Sequence, residues 1–269
     1  MACSTACTKS IGLPSSRGKR GAAIRYAVLS DIHANFPALE AVLADAAEQG
    51  ARAVLCLGDL VGYGADPAAC LETVAERAVA LVGGNHEHGA AGLLDLAWFN
   101  PVARQAALWT RERLAPDALA WLGGLPLTCT VGDATLVHAS PSRPDEWDYV
   151  LSAEEGFAVF GDFEGRLCFI GHSHRPGVWS LGSGGPDHEA RFAAWPAEVP
   201  LEDGRRYLIN VGSVGQPRDR DPRAAYAVWD VDARHVQIRR VAYDHREAAR
   251  RILDARLPRI LADRLASGS

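Results

Sequence analysis

The segment Arg25–His33, with the sequence RYAVLSDIH, decides how this chain folds and where its chemistry lies. Its apolar run, Arg25–Ser30, predicts a short buried β-strand. Two polar side chains, Asp31 and His33, follow directly where that strand ends. In open α/β sheets, ligands bind outside the carboxyl ends of the strands, so this position is typical of a functional site.

The segments that follow alternate between helix and strand. Asn35 is a candidate N-cap, and Pro37 lies in the first turn of a helix that we expect to end near Gln49. A strand, a second helix and a third strand are predicted next, at Ala53–Leu57, Pro67–Glu76 and Ala78–Val82. This alternation predicts a parallel sheet with helices on its faces.

The second half of the chain is rich in predicted strands. They are Leu127–Val131, Thr135–His138, Leu167–Ile170, Val178–Leu181, Tyr207–Val211, Ala225–Val231 and Val236–Tyr243. We expect one helix at about Ser152–Phe160 and a last helix that begins at Asp244 and ends near Leu265. Residues 182–204 contain many Gly, Pro, Asp and Glu residues and predict a loop.

Residues 92–123 interrupt the alternation and predict helices. They carry the tryptophans Trp98, Trp109 and Trp121. Their spacing along helices favours a place in the core over a lid or a dimer face.

Composition narrows the class of protein. The chain has 269 residues, 48% of them hydrophobic and 23% charged, with a formal net charge of −5. These values are ordinary for a globular protein, and no apolar run is long enough for a membrane helix. The mild acidity disfavours binding of long nucleic acid. The six cysteines form no C-x-x-C pair and no secretory signal precedes them, so we expect a reducing, cytoplasmic setting.

The N-terminal segment differs from the rest of the chain. It is rich in Ser, Thr, Gly and Ala up to about Gly21 and lacks the apolar region of a signal peptide. We therefore expect a disordered tail over residues 1–22 and one domain over residues 23–269.

Further polar residues follow the ends of other predicted strands. They are Asp59, Asn85, His86, His138, His172 and His174. In an extended chain, residues i and i+2 face the same side, so each of the pairs Asp31/His33 and His172/His174 is expected to aim at one ion or one ion pair. We expect all these side chains to converge at one edge of the fold.

The chemistry of this set indicates metal binding. Imidazole, carboxylate and amide groups without thiolate suit Mn, Fe, Zn, Ni or Co. The groups outnumber the ligands that one ion takes from protein, so two ions bridged by a carboxylate are expected. Two ions roughly 3.5–4 Å apart form a clamp for in-line displacement at phosphorus.

Five sequence blocks carry a resemblance to a known family. They are Asp31-x-His33, Gly58-Asp59, Gly84-Asn85-His86-Glu87, His138 and Gly171-His172-x-His174. Together, and in this order, they resemble the calcineurin-like metallophosphoesterases. The later segment Asn210–Arg218 resembles the small bacterial and archaeal phosphodiesterases of that family, which usually carry Pro where this chain has Val211.

The resemblance implies an α/β fold, a four-layer sandwich of two mixed β-sheets flanked by helices. It also implies two ion sites that share Asp59. One is formed by Asp31, His33, Asp59 and His174, and the other by Asp59, Asn85, His138 and His172. A water or hydroxide between the ions would attack phosphorus, because metals lower the pKa of bound water from about 15.7 towards about 7.

The remaining polar residues receive roles around the substrate. The resemblance leaves His86 as the catalytic residue that donates a proton to the leaving oxygen or holds a phosphoryl oxygen. His88, Tyr63 and Arg218 are candidate substrate contacts, Arg218 because a guanidinium can clamp a phosphate.

The sequence thus predicts a metal-dependent phosphoesterase acting on small phosphoesters or nucleotides, with mono- and diesters both open. The cofactor is two divalent ions, with Mn expected and Fe, Zn, Ni or Co as alternatives. One alternative function is hydrolysis of dinucleoside polyphosphates of the diadenosine tetraphosphate type. A less favoured one is a non-catalytic scaffold of the same fold.

Overall fold

A computed structural model of the chain describes residues 24–183, 187–192 and 197–269. The tail expected over residues 1–22 lies outside the described residues, and the single domain expected over residues 23–269 stays a prediction. Across the described ranges, no helix has the length and apolar character needed to cross a membrane.

Six strands form the first mixed sheet. Its parallel strands are β1 (Arg25–Leu29), β2 (Ala53–Cys56) and β3 (Ala78–Leu81). Antiparallel strands extend the sheet beyond β1, and these are β11 (Ala224–Asp230), β12 (His235–Val241) and β9 (Ala197–Pro200). The order across the sheet is β3-β2-β1-β11-β12-β9.

Six strands also form the second mixed sheet. Its parallel strands are β5 (Ala134–Val137), β6 (Leu167–Ile170) and β10 (Arg205–Asn210). The antiparallel strands are β4 (Thr128–Val131), β7 (Gly177–Gly182) and β8 (His188–Arg191). The order across the sheet is β4-β5-β6-β10-β7-β8.

Helices flank the two sheets. They are α1 (Phe36–Glu48), α2 (Pro67–Arg77), α3 (Asn85–Ala91), α4 (Pro101–Arg113), α5 (Pro116–Gly123), α6 (Ala153–Ala158), α7 (His245–Asp254) and α8 (Arg259–Asp263). Short 3₁₀ turns occupy Leu96–Trp98, Val159–Gly161 and Arg264–Ala266. The helix α1 begins as predicted, because the Asn35 side chain accepts the backbone N–H of Ala38 at 3.2 Å.

Apolar side chains join the layers. Between the sheets, Val28 and Leu55 pack in one cluster with Phe169 and Trp229, whose rings lie 5.6 Å apart. The alternation along β1 sends Leu29 to the opposite face, where it packs with residues of α1 and α2. A further cluster beneath α6 covers the outer face of the second sheet. The fold is therefore a sandwich of two mixed sheets flanked by helices, as the resemblance implied.

Two sequence-based predictions about the secondary structure are wrong. The predicted loop over 182–204 contains β8 and β9, which are edge strands whose side chains are mostly exposed, so they show no apolar pattern. The last helix is not continuous to Leu265. The helix α7 ends at Asp254, and a second helix, α8, begins after Pro258, a residue that has no N–H to donate within a continuous helix. The predicted start of α7 is confirmed, since the Asp244 side chain accepts the N–H groups of Arg246 and Glu247.

The core placement expected for the tryptophans is also wrong for one of them. The side chain of Trp98 is 84% exposed. It lies in a 3₁₀ turn between α3 and α4 instead of on the buried face of a longer helix.

Candidate metal centre

The predicted ligands come together where the carboxyl ends of the two sheets meet. Asp31 and His33 follow β1, and the others follow β2, β3, β5 and β6 in the order Asp59, Asn85, His138, His172 and His174. The aspartates and histidines of this set are buried and Asn85 is half-buried. So many buried polar groups need partners, because an unpaired buried polar group is costly.

Hydrogen bonds join the two sheets at this edge. His138 Nδ1 lies 2.8 Å from the carbonyl oxygen of Leu57, which follows β2. The backbone N–H of His172, after β6, donates to Asp31 Oδ2, after β1, at 3.0 Å. The site is therefore built by both sheets and depends on how they pack.

Five of the predicted ligands lie on strained backbone. The φ angles of Asp31, His33, Asp59, His172 and His174 are 54°, 48°, 52°, 63° and 58°, in the left-handed region. Each such non-glycine residue costs on the order of 1–3 kcal/mol and persists only where its surroundings hold it. The expectation that an extended backbone would aim each i, i+2 pair is therefore wrong. Tight left-handed turns position these side chains instead.

The first cluster contains Asp31, His33 and His174, whose ligand atoms all lie within 4.8 Å of one another. The Nε2 atoms of the two histidines lie 3.1 Å apart, and His174 Nε2 is 3.2 Å from Asp31 Oδ1. Each Nδ1 lies against a backbone carbonyl, that of Val61 for His33 and that of Gln216 for His174. Because these carbonyls accept the Nδ1 protons, both Nε2 lone pairs point into the cluster.

The second cluster contains Asp59, His138 and His172. His138 Nε2 is 3.1 Å from His172 Nδ1 and 3.3 Å from Asp59 Oδ2. The same Asp59 oxygen lies 3.6 Å from Nε2 of His33, a member of the first cluster. Asp59 thus stands between the two clusters.

Burial keeps most of the histidines neutral. It holds the pKa of His33 and His174 well below the usual value and lowers the pKa of His172 to about 3. His138 differs: burial would lower its pKa, but Asp59 outweighs that effect and raises it to about 9. A neutral imidazole is the form that ligates a metal, and a bound cation would replace the proton at His138.

The two aspartates respond to burial in opposite ways. Burial raises the pKa of Asp31 to about 7. Burial acts on Asp59 too, but the attraction and hydrogen bond of His138 outweigh it and hold the pKa of Asp59 well below its usual range. Asp59 is therefore the carboxylate that stays ionised between the clusters.

The donor set fits divalent metal ions. Two buried oxygens, Asp31 Oδ1 and Asn85 Oδ1, have no hydrogen-bond partner. In the first cluster, two imidazole lone pairs face each other at 3.1 Å, an arrangement that a cation between them relieves. Imidazole nitrogens with carboxylate and amide oxygens are the ligands of Mn, Fe, Zn and related ions.

Glu87 supports the site although sequence reasoning gave it no role. Its carboxylate lies beneath the loops that carry Asp59 and Asn85, where it accepts backbone N–H groups. Gly84 is needed at the same point, because a side chain there would run into the carboxylate of Asp59. In the block Gly84-Asn85-His86-Glu87, the sequence therefore indicates roles for Asn85 and His86 but not for Gly84 and Glu87.

His86 lies beside the first cluster. Its ring nitrogen, Asp59 and His33 form a third group of candidate ligand atoms within 4.8 Å. The backbone N–H of His86 donates to Asp59 Oδ1 at 3.0 Å, while its buried Nδ1 has no partner. Burial lowers the pKa of His86 to about 4, so its ring is neutral at pH 7.

The three candidate substrate contacts differ in how buried they are and in how close they lie to the candidate ligands. Tyr63 is buried, and its ring lies 4.5 Å from the rings of both His33 and His86. The Arg218 guanidinium lies over the Tyr63 ring at 5.7 Å and donates to Gln216 Oε1. His88 is half-buried and stands apart from the three groups of candidate ligands.

Two aromatic residues beside the site were missed by the sequence analysis. The ring of Tyr149 stacks on His172 with centroids 4.1 Å apart, and Trp147 contacts the rings of His88 and His138 by its edge. Both lie in the irregular segment between β5 and α6, where no periodic pattern marks them.

Comparison with known proteins gives the family. The profile of the calcineurin-like phosphoesterases matches residues 24–194. An uncharacterized protein from Methanocaldococcus jannaschii is 38% identical over 247 residues, which cover 90% of this chain and 97% of that protein. The chain therefore belongs to the calcineurin-like phosphoesterase family.

Solved structures agree with this fold. The crystal structure of a metallophosphoesterase from Sphaerobacter thermophilus is 40% identical, with a TM-score of 0.81, and the match covers 92% of this chain and 100% of that one. A hypothetical protein from Pyrococcus horikoshii OT3 is 20% identical with a TM-score of 0.72, over 91% and 99% of the two chains. The second likeness shows the fold alone.

Proposed function

We propose that the protein is a phosphoesterase that uses two divalent metal ions to hydrolyse small phosphoesters. One ion site is formed by Asp31, His33, Asp59 and His174, and the other by Asp59, Asn85, His138 and His172. The observation that carries this proposal is the position of Asp59. One of its oxygens lies 3.6 Å from His33 Nε2 and 3.3 Å from His138 Nε2, so it can bridge both sites.

The ions, when bound, would lower the pKa of water and neutralise charge on the phosphoryl group. The chain's own residues would fix the geometry of that chemistry. The backbone carbonyls of Val61 and Leu57 hold Nδ1 of His33 and His138, so each ring presents Nε2 to the site. The strained turns are held in place by the packing of the two sheets, so little rearrangement would be needed during the reaction.

His86 is proposed to act on the substrate instead of serving as a primary ligand. Its Nδ1 has no partner, which leaves the ring free to hold a phosphoryl oxygen or to donate to the leaving oxygen. Arg218 is proposed to bind the phosphoryl group, since its Nε has no partner either. The Tyr63 ring packs against His86 and the Arg218 guanidinium and supports both, and His88, whose ring contacts Trp147, is kept as a candidate substrate contact.

Mn is the expected metal, with Fe, Zn, Ni or Co as alternatives of the same ligand preference. A cytoplasmic location is proposed because the thiols of Cys56 in β2 and Cys168 in β6 are buried and form no disulfide.

The test is hydrolysis of p-nitrophenyl phosphate and bis(p-nitrophenyl) phosphate by chelator-stripped protein before and after addition of Mn²⁺. We expect metal-restored cleavage that the Asp59→Asn variant lacks, and the ratio of the two rates would assign the mono- or diester preference. Absence of cleavage of both esters, with two metal ions bound, would overturn the proposal in favour of the non-catalytic scaffold.

A further inference from the structure

A cleft of about 560 Å³ opens beside the metal centre. Two proposed ligands, Asn85 and His172, form part of its lining, so a group bound there is next to the reacting phosphorus. The cleft lies within the usual size range of small-molecule sites, about 300–1,000 Å³.

Aromatic rings line this cleft. Trp98 comes from the turn between α3 and α4, and Trp147 and Tyr149 come from the segment between β5 and α6. Trp98 is 84% exposed, and Tyr149 is about half exposed, at 48%. Exposed aromatic side chains gathered in one cleft are typical of a binding site, because water solvates their surface poorly.

Part of this aromatic lining is held rigidly against the metal centre. The Tyr149 ring is stacked on His172 with an interplanar angle of 19°, and Trp147 contacts the ring of His138. Trp147 also has a left-handed backbone, with φ of 59°. Rings positioned in this way bind a flat partner at a low entropic cost, since they are already ordered.

The charged residues around the cleft restrict which ligands it can bind. Asp145, Glu146 and Asp148 all line it. The Arg143 guanidinium lies 2.5 Å from Glu146 and 3.1 Å from Asp148, so one positive charge pairs with two of these three carboxylates. The rim keeps an excess of negative charge, which disfavours an anionic group in the cleft.

We propose that this cleft binds the base of a nucleoside attached to the scissile phosphate, so that the natural substrate is a nucleoside phosphoester. The proposal rests on the proposed phosphoesterase function and names its substrate class. Aromatic side chains recognise a nucleobase by stacking, and a neutral base meets the acidic rim without repulsion. A simple aliphatic phosphate would leave the rings without a partner.

The test compares two diesters with the same leaving group, thymidine 5′-(p-nitrophenyl phosphate) and methyl p-nitrophenyl phosphate, on Mn²⁺-loaded protein. Stacking is worth about 1–3 kcal/mol per base, so kcat/KM for the nucleoside ester should be higher by about 5- to 140-fold. Phenyl and 4-carboxyphenyl p-nitrophenyl phosphates form a second pair, in which the anionic ring should react more slowly. A phenyl ester that equals the nucleoside ester would assign the cleft to aryl esters and overturn the nucleoside assignment.

The variant for this test is Trp98→Ala, because an exposed side chain can be removed without unfolding the protein. We expect it to reduce the preference for the nucleoside ester, chiefly by raising KM. The control is Leu93→Ala, which removes a 62% exposed side chain from the same segment but outside the cleft, and it should keep the preference. Equal kcat/KM for the nucleoside and methyl esters, or a preference that Trp98→Ala retains, would overturn this inference. Failure to cleave any ester would instead contradict the phosphoesterase function itself.

Discussion

The carboxylate of Glu87 accepts the backbone N–H of Asp59 at 2.7 Å. It accepts two more backbone N–H groups, from Gly84 at 2.8 Å and from Val61 at 3.2 Å. Glu87 is fully buried, and these bonds tie the loop after β2 to the start of α3 beneath the candidate metal centre.

Replacing Glu87 by Gln tests this support. An amide keeps one acceptor oxygen but turns an NH₂ group towards at least one backbone N–H. We expect the free energy of unfolding to fall by about 1–3 kcal/mol and metal affinity to weaken. Denaturant unfolding and metal titration measure the two effects. The exposed Glu76→Gln serves as the control, and a Glu87→Gln protein that matches it in both assays would refute the supporting role.

His86 should separate catalysis from metal binding. The His86→Ala variant is expected to lose about 10²–10⁴-fold in kcat, the usual range for a group that handles a proton in the transition state. Its metal content should stay at the wild-type level, because Asp31, His33, Asp59 and the other proposed ligands remain. Mass spectrometry of the bound metal, measured on the same samples as the kinetics, distinguishes a catalytic role of His86 from a role as a metal ligand. Metal loss in proportion to the loss of activity would make His86 a ligand.

Stability at low pH should depend on Asp45, far from the metal centre. Its carboxylate accepts hydrogen bonds from Nε of Arg239 at 2.7 Å and from the hydroxyl of Tyr226 at 2.5 Å. These bonds tie α1 to the first sheet. The Arg239 bond, which outweighs burial, lowers the pKa of Asp45 from 3.8. Because the folded pKa lies below the unfolded one, the stabilisation is complete above the unfolded pKa and is lost as pH falls through the folded pKa.

The measurement is the free energy of unfolding of wild type and Asp45→Asn, both stripped of metal, between pH 7 and pH 2. The wild type should be more stable at pH 7, and the difference should shrink below about pH 4. A difference that is independent of pH would show that Asp45 contributes packing but no charge.

Much of the fold could be predicted from the sequence, because the buried strands are short apolar runs with polar residues at their ends. Leu167–Ile170 is a strand with the predicted bounds. The strands β8 and β9 were missed because edge strands with exposed side chains carry no apolar pattern. Pairing with a neighbouring strand, which is a tertiary interaction, makes them strands.

The convergence of the predicted ligands could also be predicted from the sequence, but the backbone conformation that brings them together could not. Asp31 and His33 reach the same cluster through left-handed turns, whereas the extended-chain argument assumed the opposite backbone. Tertiary contacts hold these turns, such as the N–H of His33 donating to the carbonyl of Asp59. The place of Trp98 at the cleft depends likewise on how neighbouring segments pack, which single-residue patterns do not encode.

The proposal that Asp59 is shared by two metal ions is tested by the number of ions bound per chain in wild type and in Asp59→Asn. Chelator-stripped protein would be dialysed against Mn²⁺ and its metal content determined by mass spectrometry. The exposed Asp162→Asn variant is the matched control. Because Asp59 lies between both clusters, we predict two ions in wild type and in the control, and one or none in Asp59→Asn. A single ion in wild type, or two ions retained in Asp59→Asn, would contradict the account.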